Sequence, residues 1–295
     1  MDYLIYNGFW NRQPPATVQA LARAAKQRGI RLSVTPHTEW TAVYDGGVHV
    51  VGPAGVCPGA GDTVLFWDKD VRLAHALEAA GARVHNSARA IALCDDKAAT
   101  HRVLAQHGVP MPETLVAPMA YTDVTEPVRT FLDRSQERLG YPMVVKECFG
   151  SLGGQVYLAR DRAQLEQLAF SMGPKPFLTQ RFLAESAGQD WRLYVAGDAV
   201  AAAMHRTHPS DFRANLANGG KAEAFTPTEK EKELALRCCR LLGLTFGAVD
   251  LLRSAEKGIL VCEVNSNAFT EGISRCTGID VADAVIRQVF ATKNV

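Results

Sequence analysis

Two apolar runs late in the chain, "FGAVDLL" and "GILVCEVNSN", are joined by a short polar turn, and each carries an acid among its hydrophobic residues. This pattern reads as a β-hairpin. Successive side chains of a strand point to opposite faces, so Glu263 and Asn265, two positions apart, look the same way. The turn at "RSAEKG" brings Asp250 roughly opposite Glu263, and three oxygen-bearing side chains converge. Oxygen ligands suit Mg²⁺, whose octahedral shell is shared among a few carboxylates, waters and nucleotide phosphates.

The rest of the chain has to supply a partner for such a site. With 32 Lys and Arg against 31 Asp and Glu, the formal charge is +1 and the two signs are interspersed. That balance gives no footprint for a nucleic acid or an anionic membrane, so the expected ligand is small. Seven cysteines without a C-x-x-C spacing read as reduced thiols, as in a cytoplasm. The start "MDYLIYNGFW" lacks the basic and long apolar segments of a signal peptide, and no apolar run approaches the roughly 20 residues that span a bilayer.

The opening "YLIYNG", "ATVQALARAAKQRG" and "IRLSVTP" reads strand, helix, strand, the start of a doubly wound α/β domain. Strands "TVLFWDKD" and "ARVHN" continue it. Asn7, Asp68, Lys69 and Asp70 lie at strand C-terminal ends, where open parallel sheets bind ligands, although solvated charges look the same. Helices "SARAIALC" and "DDKAATHRVLAQHG" follow, the second capped by Asp95 or Asp96. Beyond the connector "VPMPET", strands "TLVAP", "YPMVVKE", "GQVYLA" and "PFLTQRFL" alternate with helices "EPVRTFLDRSQERLG" and "DRAQLEQLAFSMG", an α+β arrangement. Strands "DWRLYVAG" and "AVAAAMHRT", a polar loop, the helix "TEKEKELALRCCRLLG", the hairpin and one closing helix complete the chain.

Lys146 sits in "MVVKE", a strand too apolar for an ordinary solvent lysine, directly before "CFGSLGGQ". Gly150, Gly153 and Gly154 let backbone N–H groups approach an anion beside that cation. A snorkelling lysine and a plain turn would read the same way. Lys97 opens a helix after "CDD". In "DFRANLANGG", Arg213 offers a planar fork for phosphate or carboxylate and Asn215 adds an amide. Arg192 and Arg206 come from the two strands that lead into this loop. His205 and His208 flank Arg206, but no acid or nucleophile is spaced with them for a metal site or a triad. Trp191 reads as core.

In this order, "DDKAATHRVLAQHGVPMPET", "YPMVVKECFGSLGGQ", "TQRFL", "GQDWRLYV", "DFRANLANGG", "VDLL" and "CEVNSN" resemble the ATP-grasp superfamily, and within it the RimK-like carboxylate–amine ligases. The resemblance covers approximately residues 86 to 274. It implies an ATP-grasp fold, two α+β subdomains gripping ATP, preceded by a Rossmann-like pre-ATP-grasp α/β domain. The implied divisions are residues 1–88, then 89–183 with the lid subdomain, then 184–295 with the metal site. By the resemblance, Lys97 and Lys146 contact ATP phosphates, "GSLGG" with Gly150, Ser151, Gly153 and Gly154 is a flexible lid, and Gln180, Arg181, Phe182 and Leu183 form the adenine-side linker. Asp190 lies near the ribose and Arg206 joins the nucleotide contacts. Asp250, Glu263 and Asn265 hold one or two Mg²⁺ ions, or Mn²⁺. Arg213 and Asn215 contact the terminal phosphate and the acyl phosphate, with Lys146 and Arg192 beside them in the catalytic set.

Two departures stand out. Relatives often carry Glu in the linker where this chain has Arg181, which leaves Glu185 as a substitute contact. Relatives commonly read Ser-Pro-Gly after the metal residues, where "SNAFTEG" stands here, near the acceptor. Ser274 and Arg275 follow closely and are further substrate candidates. The implied reaction is ATP-dependent amide formation through an acyl phosphate, joining a small-molecule or peptide carboxylate to an amine, without nucleic acid or membrane, in a monomer or homo-oligomer. A small-molecule kinase and a non-catalytic nucleotide-binding module are the competing readings.

Overall fold

Alternating apolar strands and amphipathic helices set the first layer. The structure, a computed structural model, describes residues 1–9, 14–121 and 128–290. β1 (Asp2–Tyr6) leads through α1 (Ala16–Gln27) to β2 (Leu32–Pro36), and a hairpin of β3 (Thr41–Tyr44) and β4 (Val48–Val51) precedes β5 (Thr63–Trp67). α2 (Val71–Ala79) and β6 (Arg83–His85) complete a four-stranded sheet of order β2-β1-β5-β6, parallel throughout. Every residue of β5 is buried, as a parallel strand covered on both faces requires. The β3–β4 hairpin is absent from the reading of the sequence, although "DGG" between two short β-prone runs is a hairpin signal.

α3 (Ala88–Asp95) and α4 (Lys97–Gln106) bridge to the second sheet. Asp96, rather than Asp95, caps α4, accepting from the N–H groups of Ala98 and Ala99. Next come β7 (Thr114–Val116), α5 (Arg129–Leu139), β8 (Met143–Glu147), β9 (Val156–Ala159), α6 (Arg162–Met172) and β10 (Phe177–Arg181). The first two positions of the helix expected from residue 126 lie outside the described residues. These strands form an antiparallel sheet of order β7-β10-β8-β9. Its strands alternate: Met143 and Val145 enter a core with Phe131, Leu132 and Leu165, so Val144 and Lys146 face the other way. An apolar-looking strand thereby offers a lysine to a cleft.

The third sheet comprises β11 (Gln189–Ala196), β12 (Ala199–Thr207), β13 (Lys221–Ala224), β14 (Phe246–Ser254) and β15 (Gly258–Asn265) in the antiparallel order β13-β12-β11-β14-β15. α7 (Glu229–Leu242) starts at a Thr228–Glu231 capping box and buries Ala235, Cys238, Cys239 and Leu242 against one face. Where the sequence suggests one closing helix there are two, α8 (Glu271–Thr277) and α9 (Val281–Phe290), separated at Gly278, whose φ is 73°. α9 packs on α1, and one core joins Leu4, Val18 and Leu21 to Tyr194, Phe246, Val285 and Phe290. Asn86 fastens the same junction. Fully buried, its amide donates to the carbonyls of Phe246 and Ser266 at 2.9 and 3.0 Å and accepts from the N–H groups of Thr245 and Phe246. All four of its hydrogen-bonding positions are used. No helix among the described residues is long and apolar enough to cross a membrane.

Candidate functional site

Between the second and third sheets lies a cleft lined on one side by Val144, Lys146 and Gln180 and on the other by Asp190, Arg206, Asp250, Cys262 and Glu263. Strand pairing explains the charged wall. Asp190 is directly opposite Arg206, and Arg192 is opposite Asp250, which in turn is opposite Glu263. Two cross-strand pairs of opposite charge, Asp190 with Arg206 and Arg192 with Asp250, therefore form a row that ends on the acid Glu263. Arg206 holds Asp190 through two bonds of 2.6 and 2.8 Å and reaches Asp250 at 2.9 Å, and Arg192 grips both oxygens of Asp250 at 2.7 and 2.6 Å. Burial works to raise the pKa of Asp250, but the two guanidiniums outweigh it and hold the carboxyl at about 2. Burial opposes the charge on Arg206 as well, yet Asp250 and Asp190 raise its pKa.

The pairing slips between Asp250 and Leu251, so that Glu263 opposes Asp250 while Val261 opposes Leu251. Cys262 is the extra residue of a β-bulge, and Cys262 and Glu263, though consecutive, both line the cleft. The Cys262 thiol receives the Lys146 ammonium at 3.8 Å, and burial keeps its pKa raised. Strict alternation along the strand did not reveal this residue.

Lys97 and Lys146 are both buried, and the Lys97 ammonium stands 4.0 Å from Glu263. Their setting includes His101, one helical turn beyond Lys97, which the sequence reading did not single out. The Gln180 side-chain nitrogen donates to His101 Nε2 at 3.0 Å and to Thr114 Oγ1 at 2.9 Å, which leaves His101 Nδ1–H to donate to the Lys97 carbonyl at 2.7 Å. Burial, helped by Lys146 and Lys97, pushes the His101 pKa down to about 4, so the ring stays neutral. Spacing i, i+4 from Lys97 was the signal available.

The glycine loop closes the cleft from above. Gly150, Ser151, Leu152 and Gly153 line it, whereas Gly154 does not and its N–H turns back to Ser151. A Cβ on Gly153, at φ 75°, would lie 2.7 Å from Asn215 Oδ1. Arg213 ties this loop down: its guanidinium binds the Asp211 carboxylate and donates to the Gly153 carbonyl at 2.7 Å. Of the linker residues, Phe182 and Leu183 add apolar lining together with Phe212 and Leu252. The Arg181 guanidinium turns away to Glu113 at 2.8 Å and to the carbonyls of Arg138 and Leu139. Glu185, expected as a substitute contact, lies exposed outside the cleft and accepts from the Ala255 N–H at 2.9 Å.

A second chamber shares Gly150, Ser151, Leu152, Arg206, Asn215 and Glu263 with the cleft. Its other walls include Lys69, Arg192, Asn265, Asn267, Phe269 and Arg275. Ser274 lies instead on a groove beside α1. Of the four strand-end candidates in the first sheet, only Lys69 lines the chamber, and its ammonium bonds to Asp95 and, at 3.1 Å, to Ser151 of the glycine loop. The others serve the backbone: Asp70 caps α2, Asp68 accepts from the N–H groups of Lys69 and Asp70, and Asn7 accepts from Phe9.

Asp250 and Glu263 pair across the hairpin and line the cleft, while Asn265 lines the second chamber, which Glu263 also reaches. Asp250 is saturated by guanidiniums, Glu263 is partly exposed, and the buried Asn265 Nδ2 has no hydrogen-bond partner. Among the described residues no group of three or more His, Cys, Asp or Glu is placed to cage a metal ion. Two carboxylates and an amide are hard oxygen donors of the kind that would suit Mg²⁺ arriving with phosphate oxygens, and the lysines and arginines around them would suit the same anion.

Comparison with known proteins places the chain in a family. The model of the RimK-like ATP-grasp domain matches residues 94–289. The chain is 36% identical over 239 residues to the ribosomal protein bS6–L-glutamate ligase of Escherichia fergusonii, covering 79% of this chain and 75% of that one. It is 33% identical over 290 residues to a probable alpha-L-glutamate ligase of Vibrio cholerae, covering 94% and 92%. The crystal structure of a RimK-domain ATP-grasp protein from Sphaerobacter thermophilus superposes with a TM-score of 0.74 over 98% of this chain and 99% of that one, at 23% identity.

Proposed function

Because the chain belongs to the RimK-like ATP-grasp family, we propose that its cleft binds ATP and its second chamber the substrates of an ATP-dependent carboxylate–amine ligase. The observation that carries this reading is the shared wall. A phosphate group at Gly150–Leu152, Arg206, Asn215 and Glu263 would touch both chambers, so a phosphoryl group could pass from one to the other without leaving the protein.

Val144, Phe182, Leu183 and Leu252 would hold the base, with Asp190 near the sugar. Lys97, Lys146, Arg206 and the backbone of the glycine loop would hold the phosphates. Glu263, Asp250 and Asn265 would hold one or two Mg²⁺ ions, which when bound neutralise charge on the phosphates and on the transferring group. Attack of the substrate carboxylate on the γ-phosphorus forms an acyl phosphate and releases ADP, and attack of the amine then expels phosphate and leaves an amide. Arg213 and Asn215 would stabilise the charge on the phosphoryl oxygens, and Arg192 would orient the carboxylate. The bond from Arg213 to Gly153 keeps the glycine loop shut over the intermediate, and water with it excluded. The amine we propose is an amino acid, because Lys69 and Arg275 give its carboxylate cationic neighbours and the relatives' names specify glutamate.

The test is Mg²⁺-dependent ADP release with pools of amino acids and short acidic peptides, with products read by mass. A product one water lighter than its two parts is expected, with no turnover in a folded Glu263→Ala variant. A stable phosphoester would make the protein a kinase, and full turnover by Glu263→Ala would remove the metal assignment.

A further inference from the structure

The loop between β12 and β13 supplies walls to both chambers, through Phe212, Arg213 and Asn215 in the first and Asn215, Leu216 and Ala217 in the second. It contains no regular element beyond a single 3₁₀ turn at Leu216–Asn218, so its shape has to be imposed by side chains and neighbouring backbone. His208 stands where the loop begins. Its Nδ1 accepts from two successive backbone N–H groups, Ser210 at 3.2 Å and Asp211 at 2.7 Å. A nitrogen that accepts carries no proton, so the hydrogen of the neutral ring is on Nε2. Nε2 in turn donates to the carbonyl of Asn218 at 3.0 Å, at the far end of the same loop. One imidazole thus joins the loop's entry to its exit.

What the ring fixes leads directly to the reacting groups. Asp211, whose N–H is held by the ring, binds the Arg213 guanidinium with both carboxylate oxygens, and Arg213 reaches the carbonyl of Gly153. The loop's base is seated separately, through the His208 N–H on the Gly188 carbonyl and the Gly188 N–H on the Phe212 carbonyl. Loss of the ring would therefore loosen the tip that carries Arg213 and Asn215, which keeps its bonds from Arg213 to Gly153 and from the Gly220 N–H to the Asn215 carbonyl, and leave the base in place.

We infer that His208 is a positioning residue for Arg213 and Asn215, a clasp that sets the phosphoryl-facing loop without touching substrate. The inference rests on the ligase reading for its kinetic consequence and on the hydrogen bonds alone for its structural one, so the two are tested apart. Hydrogen–deuterium exchange of the free protein reads the clasp: in His208→Ala, the amides of Ser210 and Asp211 exchange at least about tenfold faster while those of β11 are unchanged. Unchanged exchange at Ser210 and Asp211 overturns the clasp, whatever the protein catalyses.

Hydroxylamine trapping of the acyl phosphate, with amino-acid and acidic-peptide pools supplying the carboxylate, reads the catalytic consequence. In His208→Ala, kcat for hydroxamate falls about tenfold to a hundredfold, as for a misplaced catalytic group, and KM for ATP stays within about threefold. His208→Asn, whose side-chain oxygen can accept from the same two amides, recovers part of the loss. In a background lacking both side chains, Arg213→Ala with Asn215→Ala, His208→Ala costs less than about twofold more, because its effect runs through those two. Full multiplication of the two losses, or an equal loss of nucleotide binding and kcat, overturns the positioning role. Absence of both ADP release and hydroxamate in the wild type overturns the ligase reading, and leaves the exchange result to decide the clasp.

Discussion

The two walls of the cleft are built on opposite plans. The third sheet presents a row of charges whose partners are already in place, Asp190 to Arg206 to Asp250 to Arg192, each residue fixed in a strand and directly opposite its counter-charge. The opposing glycine loop and the loop of Arg213 are held by a few side-chain-to-backbone bonds, with Gly153 and Leu152 at positive φ. The first wall is fixed by strand pairing and ion pairs, and the second rests on fewer and local bonds. The proposed reaction, which must admit a nucleotide and then exclude water, would use both.

Substitutions should expose that contrast. The largest effect is expected from Arg206→Met, which strands Asp190 and weakens the hold on Asp250 inside the protein. Removing one partner of a buried pair costs about 3–5 kcal/mol, and a urea midpoint unchanged from the wild type would show that the row is dispensable. Acid should come next. In the folded protein the His101 pKa is lowered from 6.5 to about 4. Its contribution, about 3 kcal/mol by the linkage relation, is complete above pH 6.5 and is lost as the pH falls towards 4. Asp250, lowered from 3.8 to about 2, contributes fully above 3.8 and is lost below that, down to about 2. Unfolding free energy measured against pH should therefore fall in two legs, and His101→Gln should shrink the upper one, leaving the part that His85, its pKa also lowered by burial, contributes.

On the wall made by the loops the expected change is in rate more than in stability. Gly153→Ala places a methyl group 2.7 Å from Asn215 Oδ1 at a φ of 75°, which costs about 1–2 kcal/mol of backbone strain. Its kcat should drop further than this stability loss suggests, because the loop can no longer seat against Asn215; a normal kcat with reduced stability would contradict the closure. The smallest effect belongs to Glu185→Ala, since its carboxylate caps the turn before Lys257 from outside the cleft. KM for ATP should not change.

The strand pattern carried most of what the sequence disclosed. The apolar run around Lys146 marked it as no ordinary solvent lysine, and the hairpin paired Asp250 with Glu263. The ordered motifs indicated the family, and the family model and relatives bear that reading out. What escaped depended on contacts distant in sequence or on local irregularity. His101 gains its role from Gln180, 79 positions away, and Cys262 from a slipped register that period-two reasoning assumes away. Of the charged strand ends Lys69 reaches the second chamber, whereas Asp70 and Asp68 satisfy backbone N–H groups at a helix start, a demand as strong as any ligand's.

The core that joins residues 4–25 to residues 281–290 bears on how the protein is made. The second sheet and its helices draw their core from residues 115–177, a continuous stretch that can close soon after it leaves the ribosome. The first sheet has no such independence on its inner face. Its opening strand and helix wait for Val281 to Phe290, so nearly the whole polypeptide must emerge before that face is covered. During synthesis the lid would be finished first and the floor that carries the charged row sealed last, so a chain interrupted near residue 270 would hold a folded lid over an unfinished site.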